Sequence, residues 1–135
     1  MVVLDACAAF QIASESADGK ALFASIEKGE SIVVPSHFKV EFINTLSKYV
    51  RGGYISEETA HLYFNKISDL ITMQVKVSNV ITEVLHESVR LKHNAYDIVY
   101  FVIARRNSAT LLTVDKRLAE ICEENRVSAV HFVEF

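Results

Sequence analysis

Short apolar runs alternate with helical patterns along the chain, and this alternation limits the possible folds more than any other feature. Runs typical of strands occur at 2–4, 32–34, 73–77 and 110–114, with a last one near 130–133. A helical pattern lies between each pair of neighbouring runs. Strands that are joined by helices pair in parallel, through right-handed crossovers. We therefore expect an α/β fold with a central, mostly parallel sheet.

The helices are expected at about 8–16, 21–29, 37–51, 56–70, 79–92, 95–106 and 116–124. Ser36 and Ser78 are the expected N-caps of the third and fifth helices, and Gly52 is the expected stop of the third. The segment IVYFVIA is apolar nearly all round, which is typical of a central helix.

The size and composition favour one compact domain over residues 1–135. Half of the 135 residues are hydrophobic, which is enough for a core without disulfides or zinc. No apolar run approaches the roughly 20 residues of a membrane helix, and the N-terminus MVVLDAC lacks a signal-peptide pattern, so we expect a cytoplasmic protein. Cys7 and Cys122 form no CxxC motif and are expected to be small buried residues.

Four acids stand at positions where a folded chain ordinarily places apolar residues. Asp5 and Asp115 each follow a strand, and Glu41 and Asp97 lie on or beside the apolar faces of helices. Buried acids need a positive partner, and the carboxyl ends of parallel strands meet at one edge of the sheet. A divalent cation such as Mg²⁺ or Mn²⁺, which prefers oxygen ligands, would supply that partner.

A cation held by carboxylates commonly serves phosphodiester hydrolysis, because it activates water and neutralises phosphate charge. Thr113 lies two residues before Asp115, so its hydroxyl should point to the same side of the strand. The net charge of the chain is −3, yet residues 90–117 hold six basic side chains and two acids. Lys116 and Arg117 are the basic residues placed to meet a substrate phosphate, although solvated helix-start charges are an equal alternative.

Taken in order, VVLDA, VPSHFKVEFINTL, AYDIVYFVIA and LLTVDKRLAEIC resemble the four acidic motifs of PIN-domain nucleases, particularly the VapC-type toxins. The resemblance implies a three-layer α/β/α sandwich and metal-dependent endoribonuclease activity with Mg²⁺ or Mn²⁺. It also implies that Asp5, Asp97 and Asp115 are direct or near-direct metal ligands, that Glu41 acts partly through water, and that Thr113 supports them. An RNA substrate and a cognate antitoxin are the implied partners.

The chain departs from this family pattern at two places. Cys7 stands where many relatives carry serine or asparagine two residues after the first acid. Lys116, Arg117 and Leu118 follow the fourth acid, where some relatives carry another acid or asparagine. Both departures favour one metal ion over two.

Other interpretations remain open for the acids and for the function. Asp5 and Asp115 are also plausible N-caps, and Asp97 a helix-start acid. A PIN-domain nuclease of RNA processing, or a non-catalytic module that binds a structural ion, would carry the same acids. A phosphoacceptor domain or a DxD phosphatase fits less well, because DACAAF offers only one early acid.

The remaining expectations concern the histidines and the surface. The five histidines form no HxH or HxxxH pair, so we expect surface or boundary histidines rather than a zinc site. The aromatic residues are expected in the core and at interfaces. The helix at 56–70 carries apolar residues on more than one face, and we expect it to form a homodimer interface through residues such as Leu62, Tyr63, Phe64 and Ile67.

Overall fold

A computed structural model describes residues 1–131 of the chain. Its sheet has five parallel strands in the order β3-β2-β1-β4-β5. These strands are β1 Val2–Leu4, β2 Ile32–Pro35, β3 Met73–Val75, β4 Thr110–Leu112 and β5 Ala129–Val130. The alternation in the sequence therefore predicted the sheet correctly, and the part of the last predicted strand beyond residue 131 lies outside the described residues.

Seven α-helices occur within residues 1–131. They are α1 Ala6–Ser14, α2 Ala17–Ala24, α3 Phe38–Arg51, α4 Glu57–Leu70, α5 Ile81–Leu91, α6 Ala95–Arg106 and α7 Lys116–Glu124. Helices α1 to α4 pack on one another, whereas α5 and α7 both pack against α6. The result is the expected three-layer arrangement of helices on both faces of the sheet.

Helix α6 is the centre of its layer and contacts β1, β2 and β4. Every residue from Ile98 to Ala104 is buried, as the continuous apolar segment predicted. Only the first turn of α6 and its last two residues carry charged side chains. The N-terminus of this helix thereby brings Asp97 to the edge of an otherwise apolar layer.

The position of β1 in the sheet determines where the candidate site lies. The chain winds from β1 through β2 to β3 on one side, and then crosses to β4 on the other side of β1. In open α/β sheets, ligands bind where the winding reverses, outside the carboxyl ends of the strands. Leu4 pairs in register with Leu112, so the residues that follow β1 and β4 emerge side by side.

Two of the expected helix caps are wrong. The N–H of Ser36 donates to the Val75 carbonyl at 2.8 Å, and its hydroxyl accepts from the Val77 N–H at 3.1 Å, so Ser36 joins β2 to the chain after β3. Helix α3 begins after His37 without a side-chain cap. Ser78 lies inside a 3-10 turn at Val77–Asn79, and α5 begins only at Ile81. Gly52 does end α3, as expected.

The expected interface on α4 is mostly core. Ile67 is completely buried, and Tyr63 and Phe64 pack against the core, so only Leu62 of the four expected residues is strongly exposed. Tertiary packing against α1 and α3 covers the other three side chains. Cys122 is buried as expected, whereas Cys7 is exposed.

Among the described residues, no helix combines the length and the apolar character that crossing a membrane requires.

Candidate metal centre

Asp5 and Asp115 are both N-caps and both stand at the carboxyl edge of the sheet. Asp5 Oδ1 accepts from the Ala8 N–H at 2.8 Å, at the start of α1. Asp115 Oδ1 accepts from the Leu118 N–H at 3.1 Å, at the start of α7. In each case the cap hydrogen bond uses one of the roughly four lone-pair sites of the carboxylate, so acceptor sites remain for an ion. The capping role and a role in ion binding are therefore compatible.

Thr113 joins these two acids. Its hydroxyl oxygen accepts from the Asp115 N–H at 3.0 Å, and its hydrogen bond to the Asp5 carboxylate lowers the pKa of that group. The side chain is completely buried. A hydroxyl donates one hydrogen bond while it accepts another, so Thr113 connects the Asp5 carboxylate to the backbone of Asp115.

The tightest group of potential ligands at this edge consists of His93, Asp97 and Asp115. One ligand atom from each lies within 4.8 Å of the others. His93 Nε2 is 3.0 Å from Asp97 Oδ2. Burial raises the pKa of Asp97, the His93 hydrogen bond lowers it, and the charges of Asp115 and Glu41 raise it further, with a net upward shift. Two acids and an imidazole thus share a small space.

Glu41 reaches the same edge from the first turn of α3. Its Oε2 atom accepts a hydrogen bond from the Tyr100 hydroxyl at 3.3 Å and lies 3.0 Å from His37 Nε2. His37 Nε2 is shielded from solvent, and no hydrogen bond of acceptable geometry satisfies it within residues 1–131. Burial, followed by the charges of Glu41 and Asp5, holds the pKa of Tyr100 well above its usual range. The phenol therefore stays protonated and donates to the glutamate.

Asp5 is the most buried of the four acids, with a relative exposure of 6%. Burial raises its pKa to about 7, and the charges of Asp97 and Glu41 add to this effect against the hydrogen bonds from Thr113 and Ala8. The surrounding protein shields the Cys7 sulfur from water, and this shielding, followed by the charges of all four acids, raises the pKa of the thiol to about 11. The four acids consequently form one electrostatic group at one edge of the sheet, with Cys7 beside it.

The donor set at this edge fits a divalent cation. Carboxylates and a hydroxyl are the ligands that Mg²⁺ and Mn²⁺ prefer, and a cation would offset the repulsion that raises the pKa of Asp5 and Asp97. His37 Nε2, although it lies 3.0 Å from Glu41 Oε2, makes no well-aligned hydrogen bond within residues 1–131. The residues present could hold one such ion.

Three of the six basic side chains of the segment 90–117 pair with glutamates of α5. Arg90 pairs with Glu87, Arg105 pairs with Glu83 and Glu87, and Arg106 pairs with Glu83. The pairs of Arg105 and Arg106 tie α6 to α5, whereas Arg90 and the buried Glu87 both belong to α5. Two glutamates of α5 thus offset part of the positive charge of this segment.

The two residues expected to meet substrate differ from each other. Arg117 lies 3.4 Å from Glu120 and 3.6 Å from Glu124 on its own helix, so its charge is partly offset. Lys116 is exposed at the start of α7, directly after Asp115.

The sequence interpretation missed His37 and His93 as members of the site. Each precedes one of the four acids by four residues, and this repeated spacing was the available signal. The motifs HxH and HxxxH do not contain this spacing, because each of the two histidines pairs with an acid and not with another histidine. His37 and His93 are partly buried, as expected of boundary residues.

Comparison with known proteins agrees with the geometry. The family model of the PIN domain matches residues 2–124, nearly the whole chain. The chain belongs to the PIN-domain family. The resemblance to PIN domains that the four acidic motifs carry is thereby confirmed. No curated protein matches the sequence significantly.

Two solved structures share the PIN-domain fold with this chain. PAE2754 from Pyrobaculum aerophilum superposes with a TM-score of 0.74 at 20% identity, covering 96% of this chain and 89% of its own. VapC20 of Mycobacterium tuberculosis, a toxin that cleaves the sarcin-ricin loop, gives a TM-score of 0.65 at 14% identity, covering 90% and 95% respectively. At these identities the likeness concerns the fold.

Proposed function

We propose that this PIN-domain protein is a metal-dependent endoribonuclease and the toxin of a toxin-antitoxin pair. The observation that carries the proposal is the convergence of four acids, from two strand ends and two helices, at the carboxyl edge of a PIN-domain sheet. The arginines of α6 do not neutralise these four acids, because Arg105 and Arg106 pair with Glu83 of α5 instead.

Within this proposal each acid has a defined task. Asp97, Asp115 and Asp5 hold Mg²⁺ or Mn²⁺, and Glu41 acts partly through water. Thr113 holds the Asp5 carboxylate and the backbone of Asp115 by its two hydrogen bonds. Tyr100 and His37 limit the movement of Glu41. Since both strand-end acids are also held by helix caps, the site is preorganised before the ion arrives.

A bound divalent ion would activate a water molecule and neutralise the charge of the scissile phosphate. The residues of the chain supply the orientation. The acid edge repels a polyanion unless an ion occupies it, so RNA should bind productively only after the metal. Lys116 is the exposed cation closest in sequence to Asp115 and is proposed to contact the substrate backbone, with Arg117 as a weaker contributor because of its glutamate partners.

The toxin assignment rests on the VapC-type resemblance and on the fold shared with VapC20. A cognate antitoxin would then be expected to cover the acid edge, and a homodimer is the proposed assembly. A test of this part is induced expression in a bacterial host. Growth arrest that Asp97→Asn relieves supports a toxin, whereas full growth with an active enzyme favours a nuclease of RNA processing.

The nuclease proposal itself is tested with purified protein and structured RNA. Cleavage should require Mn²⁺ or Mg²⁺, stop with EDTA, and fall by at least about a hundredfold in Asp97→Asn, which keeps the size of the side chain but removes its charge. His61→Gln on the exposed face of α4 is the matched control and should cut at the normal rate. Cleavage that persists in EDTA, or in Asp97→Asn, would refute the proposal.

A further inference from the structure

His93 occupies a position that the hydrogen bond to Asp97 alone does not explain. Its ring nitrogen lies within 4.8 Å of ligand atoms from both Asp97 and Asp115, and no lysine or arginine is paired with either acid within residues 1–131. The His93 side chain is only 15% exposed. A partly buried imidazole thus lies beside two carboxylates that repel each other.

The backbone between α5 and α6 places this nitrogen. Lys92 ends α5 in the left-handed conformation, with φ of 52°, and the His93 N–H then donates to the Ser88 carbonyl at 3.2 Å. This turn directs His93 back towards the first turn of α6, where Asp97 lies. The imidazole therefore reaches the site from outside both helices, on a connection of three residues.

The separation of the two ligand atoms fits neighbouring positions around one ion. Octahedral ions of the Mg²⁺ type hold ligands at about 2.0–2.1 Å, which places adjacent ligands about 2.9 Å apart. His93 Nε2 and Asp97 Oδ2 are 3.0 Å apart. The ligand atom of Asp115 lies within 4.8 Å of both and would have to move closer to complete a face of three ligands. The same distance suits a hydrogen bond, so the decisive question is whether the nitrogen binds the ion directly.

We propose that His93 is a nitrogen ligand of the metal centre, with Asp97 and Asp115 as its oxygen ligands, and that this mixed donor set selects Mn²⁺ over Mg²⁺. The inference rests on the proposed function for the presence of an ion at this edge. Its chemical basis is that both ions prefer oxygen ligands, but Mg²⁺ rarely accepts an imidazole, whereas Mn²⁺, a first-row transition metal, accepts a nitrogen ligand beside carboxylates. Four acids alone would not distinguish the two ions in this way.

The ion binding is measured without RNA, on purified protein stripped with EDTA. Calorimetric titration should give a Kd for Mn²⁺ at least about tenfold lower than that for Mg²⁺. His93→Gln should weaken Mn²⁺ binding by at least about tenfold and change Mg²⁺ binding by less than about threefold. His86→Gln, an exposed histidine of α5, is the control and should bind both ions normally.

Electron spin echo modulation of the Mn²⁺ complex decides between direct and indirect roles. The wild-type complex should show the coupling of one ¹⁴N nucleus, which His93→Gln removes and which His37→Gln and His86→Gln retain. Absence of nitrogen coupling in the wild type, or its survival in His93→Gln, overturns the inference even if Mn²⁺ binding weakens. Loss of the coupling in His37→Gln assigns the ligand to His37 and also overturns it.

Failure of this inference is distinguishable from failure of the proposed function. Mn²⁺ bound without nitrogen coupling, by a protein that cleaves RNA and loses cleavage in Asp97→Asn, refutes only the role of His93. Nitrogen-coupled Mn²⁺ in a protein that cuts no RNA supports the ligand and refutes the nuclease.

Discussion

The Asp5 carboxyl is held where its charged form is poorly solvated. Burial raises its pKa to about 7, and the nearby charges of Asp97 and Glu41 act in the same direction. The hydrogen bonds from Ala8 and Thr113 offset only part of this effect. Without an ion the folded protein therefore prefers Asp5 protonated, and this preference links its stability to pH.

The sign of that linkage follows from the two pKa values. In the unfolded chain the pKa of Asp5 is close to its ordinary value of 3.8, whereas burial in the folded protein raises that pKa to about 7. Between these values the folded state binds more protons, so stability falls as pH rises, by at most about 1.4 kcal/mol per pH unit. Below the lower value both states are protonated, and the penalty disappears.

Replacing Asp5 with asparagine should remove this dependence. Asparagine keeps the shape and the N-cap hydrogen bond to Ala8 but carries no charge. In EDTA the stability of Asp5→Asn relative to the wild type should increase by roughly 2 kcal/mol between about pH 5 and pH 7. Urea unfolding of both proteins across this range measures the difference. A constant difference would mean that Asp5 ionises normally in the folded protein.

At the scale of helices, α1 and α2 approach each other closely at Gly19. A Cβ atom added there would lie 1.8 Å from the Gln11 carbonyl oxygen, a distance that no packed structure accepts. The Gly19 N–H also donates a hydrogen bond to Ser16 Oγ at 3.0 Å, at the start of α2. Helix α1, which follows Asp5, therefore packs this closely against α2 because residue 19 has no side chain.

Gly19→Ala should separate the two helices and destabilise the fold. Overpacking of this kind typically costs about 1–3 kcal/mol, and contact with a backbone atom places the effect at the upper end. Lys20→Ala, at an exposed neighbouring position, should change the free energy of unfolding by less than about 0.5 kcal/mol. Urea unfolding of both variants gives the comparison, and equal stabilities would show that α2 shifts without cost.

The elements themselves were largely predictable, because hydrophobic periodicity depends on local sequence. The acids at the ends of β1 and β4 were placed at one edge by the parallel topology alone. The caps at Ser36 and Ser78 were wrong, since Ser36 bonds to the chain after β3 and a 3-10 turn displaces the start of α5. Such bonds depend on tertiary contacts that no local pattern contains.

The histidines of the site show the same limit at the level of side chains. His93 reaches Asp97 only because Lys92 adopts a left-handed conformation between α5 and α6. The pairing of Arg105 with Glu83 likewise requires the two helices to pack as they do. The acids could be predicted from the sequence because their burial is unfavourable without a partner, whereas a boundary histidine carries no such signal.

For the whole molecule, a row of exposed apolar side chains lies on α5 rather than on α4. Ile81, Leu85 and Val89 are exposed by 54%, 68% and 71%, and their spacing of four places them in one row along the helix. The opposite face of α5 packs on α6 and carries the glutamates that bind its arginines. An exposed apolar row of this kind typically marks a protein interface.

If the protein forms the proposed homodimer, this row is the expected contact. Leu85→Glu places a charge at its centre and should convert a dimer to a monomer at micromolar concentration, because each copy would bury an unpaired carboxylate. Leu62→Glu makes the same change at the exposed apolar residue of α4 and should leave the dimer intact. Size-exclusion chromatography with light scattering measures both. Dissociation by Leu62→Glu but not by Leu85→Glu would assign the interface to α4. A monomeric wild type would refute the homodimer.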